Sequence, residues 1–358
     1  MLRDDLFRKG ELKRRNSQYD EALGFYKRAM RCYLKAGDDK ALLDCLIAIA
    51  DTYRVKGDYT KAESYYKKGI EEAISLKDKT SMADASVGFG LCERGIGDWK
   101  TAMSCFKKSM DIYTGLGDKD GLAFTLWAYA GALRIMGDIK GAAYYFNKAL
   151  RAFKTLGNTQ GIGYSYCGLG GASRVAGAFD KSLRYYEEAN KVSRGLRDRF
   201  GLAYSYCGIG NAHRMLNDFK KALTFFKKAV TLYKRIGDKV SSSYTLWSIG
   251  MTYKMLGNIK RARECFIHAK DFFKETRDQR GMIYADLGLG ELLYLEGKKK
   301  DAVKLLVRAK RIADDLSLSL ESCHCRLFIS LMDAVRPRDC YKGLGVRLHL
   351  KGFPINLP

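Results

Sequence analysis

Gly137-Asp138-Ile139-Lys140-Gly141-Ala142-Ala143-Tyr144-Tyr145-Phe146-Asn147-Lys148-Ala149 is the stretch that decides the fold. It opens on a turn pair, Gly137-Asp138, and then sets a small residue, a ring and a second small residue at Ala142, Phe146 and Ala149. Offsets of four and seven bring those three side chains to one face of a helix. The pattern returns in phase. The turn recurs as Gly57-Asp58, Gly97-Asp98, Gly137-Asp138, Gly177-Ala178, Asn217-Asp218, Gly257-Asn258 and Gly297-Lys298, in steps of 40 residues. A second turn keeps the same period: Gly37-Asp38, Lys77-Asp78, Gly117-Asp118, Gly157-Asn158, Arg197-Asp198, Gly237-Asp238 and Arg277-Asp278.

Glycine closes a helix in the left-handed conformation, and an Asp or Asn after it caps the next one. Two breaks per period therefore predict two helices per repeat. In the second helix the small columns run Ala62, Ala102, Ala142, Ser182, Ala222, Ala262, Ala302 and Gly69, Ser109, Ala149, Ala189, Ala229, Ala269, Ala309. Between them lies a large column: Tyr66, Phe106, Phe146, Tyr186, Phe226, Phe266 and Leu306. In the first helix a small column runs Gly10, Ala50, Gly90, Ala130, Gly170, Gly210, Gly250 and Gly290. Glycine inside a helix costs about 0.5–1 kcal/mol relative to alanine, so this column needs a packing reason. Small residues let backbones approach, and the ring fills the space between them.

These columns resemble the tetratricopeptide repeat family over residues 2–316, about eight repeats. The period of 40 departs from the family's usual ~34, and the proline that often closes the unit is absent. Longer repeats of this kind are similar to those of G-protein-signalling modulator scaffolds and of bacterial peptide-responsive regulators. The resemblance implies an all-α, right-handed α-solenoid whose first helices line the concave face. Residues 1–316 are assigned to the repeats and residues 317–335 to a capping helix. Residues 336–358 form a tail with five bases, one acid and all three prolines, expected to be extended.

Four first-helix positions, at offsets 0, 3, 7 and 10, share an arc of about 80°, and the resemblance identifies this stripe as the groove lining. It carries a ladder of bases, Arg14, Arg54, Arg94, Arg134, Arg174, Arg214 and Lys254, ending at Tyr294. Beside it run Phe124, Tyr164, Tyr204, Tyr244 and Tyr284, with Trp127 and Trp247 at a neighbouring position. Arg grips carboxylate or phosphate with a planar fork, and Tyr offers rigid contact area with a hydroxyl. All fourteen are candidate partner-binding residues.

A plainer reading stands beside this one. Most ladder bases lie four residues before a turn acid, as in Arg54/Asp58, Arg94/Asp98, Arg134/Asp138 and Arg214/Asp218, and could simply pair with it. Arg14, Arg174 and Lys254 face Gln18, Ala178 and Asn258 instead, so the base persists without its acid. For the tyrosines, packing between adjacent first helices is the alternative.

No catalytic or metal constellation emerges. Gly168-Leu169-Gly170-Gly171 and Gly208-Ile209-Gly210 hint at a nucleotide loop, but they sit inside helices with no strand before them and no Gly-Lys-Ser/Thr. Cys323-His324-Cys325 has no second ligand pair at zinc spacing. His213, His268 and His349 lack partners at a recognisable spacing. The chain is therefore read as a non-enzyme without cofactor or metal.

The bulk properties narrow the partner. Of 358 residues, 64 are basic and 40 acidic, a net charge of +24 spread along the whole chain. Such a surplus suits acidic partners. The leading expectation is a protein-interaction scaffold that holds an extended acidic peptide segment. Single-stranded nucleic acid, bound by phosphate contacts and stacking on Tyr, ranks second. Self-assembly, with one copy's apolar end (residues 352–358) in another's groove, ranks third. Ten cysteines without framework spacing, among them Cys105 and Cys265 at aromatic positions, are read as reduced core residues. No apolar run of signal-peptide or membrane-spanning kind is present, so the expected location is cytoplasmic, without membrane insertion.

Overall fold

The structure is a computed structural model that describes residues 2–335, 340–348 and 352–358. All regular structure among these residues is helical. The chain divides into two compact units, residues 1–129 with 234–238, and residues 130–233 with 239–358.

The first unit contains α1 (Leu2–Arg15), α2 (Tyr19–Ala36), α3 (Asp39–Val55), α4 (Tyr59–Ser75), α5 (Lys79–Ile96), α6 (Trp99–Leu116) and the first part of α7 (Lys119–Met136). The second takes the rest of α7, then α8 (Ile139–Thr155), α9 (Thr159–Val175), α10 (Phe179–Gly195), α11 (Arg199–Met215) and most of α12 (Phe219–Ile236). It continues through α13 (Lys239–Met255), α14 (Ile259–Glu275), α15 (Gln279–Leu295), α16 (Lys299–Asp315), α17 (Ser319–Met332) and the single turn α18 (Tyr341–Leu344). Consecutive helices pack as pairs, α1 on α2, α3 on α4 and α5 on α6 in the first unit, and α9 on α10, α13 on α14 and α15 on α16 in the second. This is the paired-helix solenoid architecture the repeat implied.

Capping chemistry sets the breaks. Asp98 accepts the main-chain N–H of Thr101 at 3.0 Å, and Asp138 that of Gly141 at 2.8 Å. The residue before each cap is left-handed whether or not it is glycine: φ is +54° at Lys77, +53° at Arg197 and +56° at Arg277. Ala178 and Lys298 stand at cap positions with no side-chain hydrogen bond to the helix.

The ring column is the core. Tyr66 and Phe106 in the first unit, and Phe226 and Phe266 in the second, are fully buried. Each ring of this kind removes roughly 150–250 Å² from water. Glycine makes room on both sides. In the first unit a methyl group at Gly88 would stand 2.3 Å from Tyr66. In the second, methyls at Gly170 and Gly208 would stand 2.9 Å and 2.1 Å from Tyr186, whose ring is wedged between the backbones of α9 and α11. The two glycine-rich runs that superficially suggest a nucleotide loop are therefore packing surfaces.

Within the second unit the end of the chain returns to its beginning. A methyl at Gly137, in the turn after α7, would lie 3.3 Å from Leu344 and 3.5 Å from Ser319 at the start of α17. The tail is not simply extended: α18 interrupts it, and Ile355, Leu357 and Pro358 are buried. Residues 336–339 and 349–351 of that tail, His349 included, lie outside the described residues.

One cysteine expectation is corrected. Cys323 on α17 and Cys340 beside α18 are joined by a disulfide, with Cα atoms 5.9 Å apart, while the other eight are free thiols. Sequence spacing is blind to a pair that only the return of the tail brings together. Among the described residues no helix is long and apolar enough to cross a membrane.

Candidate interaction groove

In the first unit the bases at the head of the ladder are already engaged. Arg14 donates to Glu11, three residues earlier on α1, at 3.0 and 3.2 Å. Arg54 donates to Asp51 on α3 at 2.8 Å and, through Nε, to the Tyr66 hydroxyl at 3.0 Å. Side chains three apart share a helix face, so acid and base meet without help. Burial pushes the Asp51 carboxyl up, but the Arg54 charge and the Tyr66 hydroxyl outweigh it and hold it below the usual carboxylate range. Arg94 donates to the Ala128 carbonyl at 3.3 Å. Phe124 and Trp127, half-buried, stack on each other with ring centres 5.5 Å apart. The sequence expectation that every ladder base awaits negative charge is therefore corrected for Arg14 and Arg54.

The plainer pairing with the turn acid is corrected as well. Asp58 accepts from the main-chain N–H of Lys61 at 3.3 Å and pairs with the Lys61 ammonium at 2.8 Å. Asp218 accepts from Lys221 N–H at 3.2 Å. These carboxylates serve the helix that follows them, not the base before them.

The second unit is different. Where α1 and α3 carry Glu11 and Asp51, α7 and α9 carry Gly131 and Gly171. Arg134 and Arg174 consequently have no acid on their own helix face. The Nε of each is buried and has no hydrogen-bond partner among the described residues. The Arg134 guanidinium lies along α9, where a methyl at Gly171 would stand 3.5 Å from its Nη1. Tyr164 is half-buried and its hydroxyl accepts from Gln160 at 3.0 Å; Tyr204 is 37% exposed and packs on Phe200 with ring centres 6.4 Å apart.

Further along, the stripe is covered by the tail. Arg214 is fully buried, and its Nη1 donates to the Asn356 side-chain oxygen and, at 2.9 Å, to the Leu357 carbonyl. Asn356 returns a bond from its amide nitrogen to the Arg214 carbonyl at 2.9 Å. Burial, with the Arg174 charge beside it, pulls the Arg214 guanidinium down to about 9. Lys254 is buried against Glu291 and donates to the Ile355 carbonyl at 2.7 Å. Glu291 accepts from the Ile355 N–H at 2.6 Å. Phe353 packs on Tyr294, with ring centres 4.8 Å apart.

Three aromatic candidates belong to packing. Trp247 and Tyr284 are buried, and the Trp247 indole donates to the Tyr284 carbonyl at 2.8 Å. The Tyr284 hydroxyl donates to buried Glu321 at 2.9 Å, which Arg280 also engages at 2.7 Å. Tyr244 packs on Phe273 with ring centres 4.8 Å apart, and burial with the Asp278 charge nearby pushes its phenol well up. For these three the alternative of helix–helix packing is the better account. Glu291 is a groove residue that sequence reasoning missed; it occupies the stripe at offset 7, the position that holds Glu11 and Asp51 in the first two repeats, and that recurrence of an acid was the signal.

Comparison with known proteins gives a consistent picture. The family model described as tetratricopeptide repeat matches residues 5–71, 81–155 and 162–235. No curated protein sequence matches the chain. Among solved structures, a Rap protein complexed with competence and sporulation factor is similar at 15% identity and TM-score 0.62, covering 93% of this chain and 97% of that one. The Rap conjugation gene regulator of plasmid pLS20, in complex with the Phr* peptide, is similar at 17% identity and TM-score 0.65, covering 84% and 85%. NprR in complex with its cognate peptide NprX is similar at 15% identity and TM-score 0.62, covering 92% and 98%. At these identities the likeness is one of fold.

Proposed function

The chain belongs to the tetratricopeptide repeat family, and from that premise we propose that it is a non-catalytic scaffold holding an extended, acidic peptide segment in the groove of its second unit. Arg134 and Arg174 carry the reading: two guanidinium groups on successive first helices, both near Tyr186, each with a buried donor nitrogen that has no hydrogen-bond partner among the described residues. An unmet buried donor costs about 1–3 kcal/mol, and a carboxylate from outside would remove that cost at both positions. Tyr164 on α9 and Tyr204 on α11 belong to the same stripe and would offer ring area to the peptide between its acids. The complexes of Rap and NprR with their peptides support the same mode of use for this fold.

Fluorescence anisotropy with a labelled peptide of alternating glutamate and valine tests the reading, with the glutamine counterpart and oligothymidylate as controls. The acidic peptide should bind best, and Arg134→Glu with Arg174→Glu should lower its affinity by roughly a hundredfold, the loss of two charge-assisted bonds at ~1.5 kcal/mol each. Helical circular dichroism should persist. Undiminished binding to the double variant overturns the reading, and so does tighter binding of oligothymidylate than of the acidic peptide.

A further inference from the structure

The tail does more than cover a surface. Its last residues meet the groove in the manner of a bound extended peptide. Successive main-chain groups are read by groove side chains: Ile355 N–H by Glu291, Ile355 carbonyl by Lys254 and Leu357 carbonyl by Arg214. The one polar side chain, Asn356, is read on both edges of its amide, the oxygen by the Arg214 guanidinium and the nitrogen by the Arg214 carbonyl. The neighbouring side chains, Ile355 and Leu357, are 2% and 1% exposed. Alternation of this kind, buried apolar residues on either side of a recognised polar one, is how an extended peptide gains specificity in a groove.

The path leading to this segment is a close fit too. Gly177, left-handed at φ +85°, has no side chain, and a methyl there would come within 2.5 Å of the Arg347 carbonyl. The groove end of the unit is thus shaped to a main chain running over it.

We propose that residues 352–358 are a tethered ligand: the site built by Arg214, Lys254, Glu291 and Tyr294 takes an extended peptide with asparagine between two apolar residues, and the chain's own C-terminus fills it until such a peptide displaces it. The proposal rests on reading the groove as a peptide site, and it adds a second specificity beside the acid-seeking pair Arg134 and Arg174. Asparagine is selected over aspartate because the latter would set an oxygen, in place of an amide donor, against the Arg214 carbonyl.

A labelled synthetic copy of residues 352–358 is the probe, titrated by anisotropy against the full chain and against a chain ending at residue 351. The shortened chain should bind it saturably and at least about tenfold more tightly than the full chain does. Copies carrying Asn356→Ala or Asn356→Asp should lose at least about tenfold in affinity. A shortened chain that keeps its helical signal yet ignores the probe overturns the proposal, as does equal binding by full and shortened chains. Should the shortened chain fail to fold, the full-length Asn356→Ala variant decides: it should admit the wild-type probe about tenfold better than its parent, and no gain overturns the proposal. The probe has no acidic side chain, so a failure here is distinct from a failure of the acidic-peptide test.

Discussion

Arg214 and Asn356, 142 residues apart, hold each other by hydrogen bonds that run in both directions. The same few residues on either side supply the buried ion pair and the apolar contacts that fasten the tail, so stability and occupancy of the groove are linked.

The Lys254–Glu291 pair shows the link most directly. Both side chains are completely buried. Burial pushes the Lys254 ammonium down and the Glu291 carboxyl up, each opposed by the charge of the other. Lys254→Ala should destabilise the second unit by about 3–5 kcal/mol, because it leaves a buried carboxylate unpaired. Adding Glu291→Leu should restore much of that loss without restoring the tail contact to Ile355. Urea unfolding of the two variants checks this, and an equal loss in both would contradict it.

His324 should make the second unit sensitive to mild acid. It is fully buried, its Nδ1 is 2.8 Å from the Tyr341 hydroxyl, and burial together with the Arg280 and Arg174 charges pushes it down to about 3. The unfolded chain takes up this proton near pH 6.5, whereas the folded one resists until about pH 3. The stability is therefore whole above pH 6.5 and drains away as pH falls toward 3. His324→Gln should flatten the decline between pH 6.5 and 5, a window above the range in which ordinary carboxylates titrate. Thermal midpoints at stepped pH measure it.

Two turn substitutions should stabilise the chain. Ala178 occupies a helix cap that most other repeats give to Asp or Asn, and its side chain makes no cap bond. Ala178→Asp should add about 1 kcal/mol. Arg197 is held left-handed at φ +53°, a conformation costing about 1–2 kcal/mol for a residue with a Cβ, so Arg197→Gly should raise the melting midpoint as well. Calorimetry on the single variants and their combination checks both, and the effects should add.

Glycines in the array should respond according to what they face. A methyl at Gly208 would stand 2.1 Å from the Tyr186 ring, so Gly208→Ala should cost about 1–3 kcal/mol by overpacking. Gly24, inside α2, has nothing within 4 Å of a would-be methyl. Gly24→Ala should instead stabilise by about 0.5–1 kcal/mol. Denaturant midpoints of the two variants should move in opposite directions.

The repeat was fully legible in the sequence because each column serves a local purpose. Phe106 and Phe146 fill the gap left by small residues, Asp98 and Asp138 cap the next helix, and most copies repeat both devices. The groove was legible only in part. The stripe and its bases came from periodicity and resemblance, but whether a base is available depends on the residue three places earlier: Glu11 and Asp51 satisfy their arginines, while Gly131 and Gly171 leave theirs unmet. Tyr284 and Trp247 share the stripe's pattern with Tyr164, yet the Glu321 carboxylate from α17 draws Tyr284 inward. The tail contacts were beyond reach, since Arg214 and Asn356 share no period and meet only through the path of the chain.

The meeting of Gly137 with Ser319 and Leu344 fixes a count. An open array tolerates the gain or loss of a module because each copy touches only its neighbours. Here the interval between those contacts is spanned by a set number of modules, and inserting or deleting one would part the two ends of the clasp and unseat the terminal peptide. Lineages of this protein should therefore vary in module number upstream of α7, and keep the stretch from there onward invariant in length.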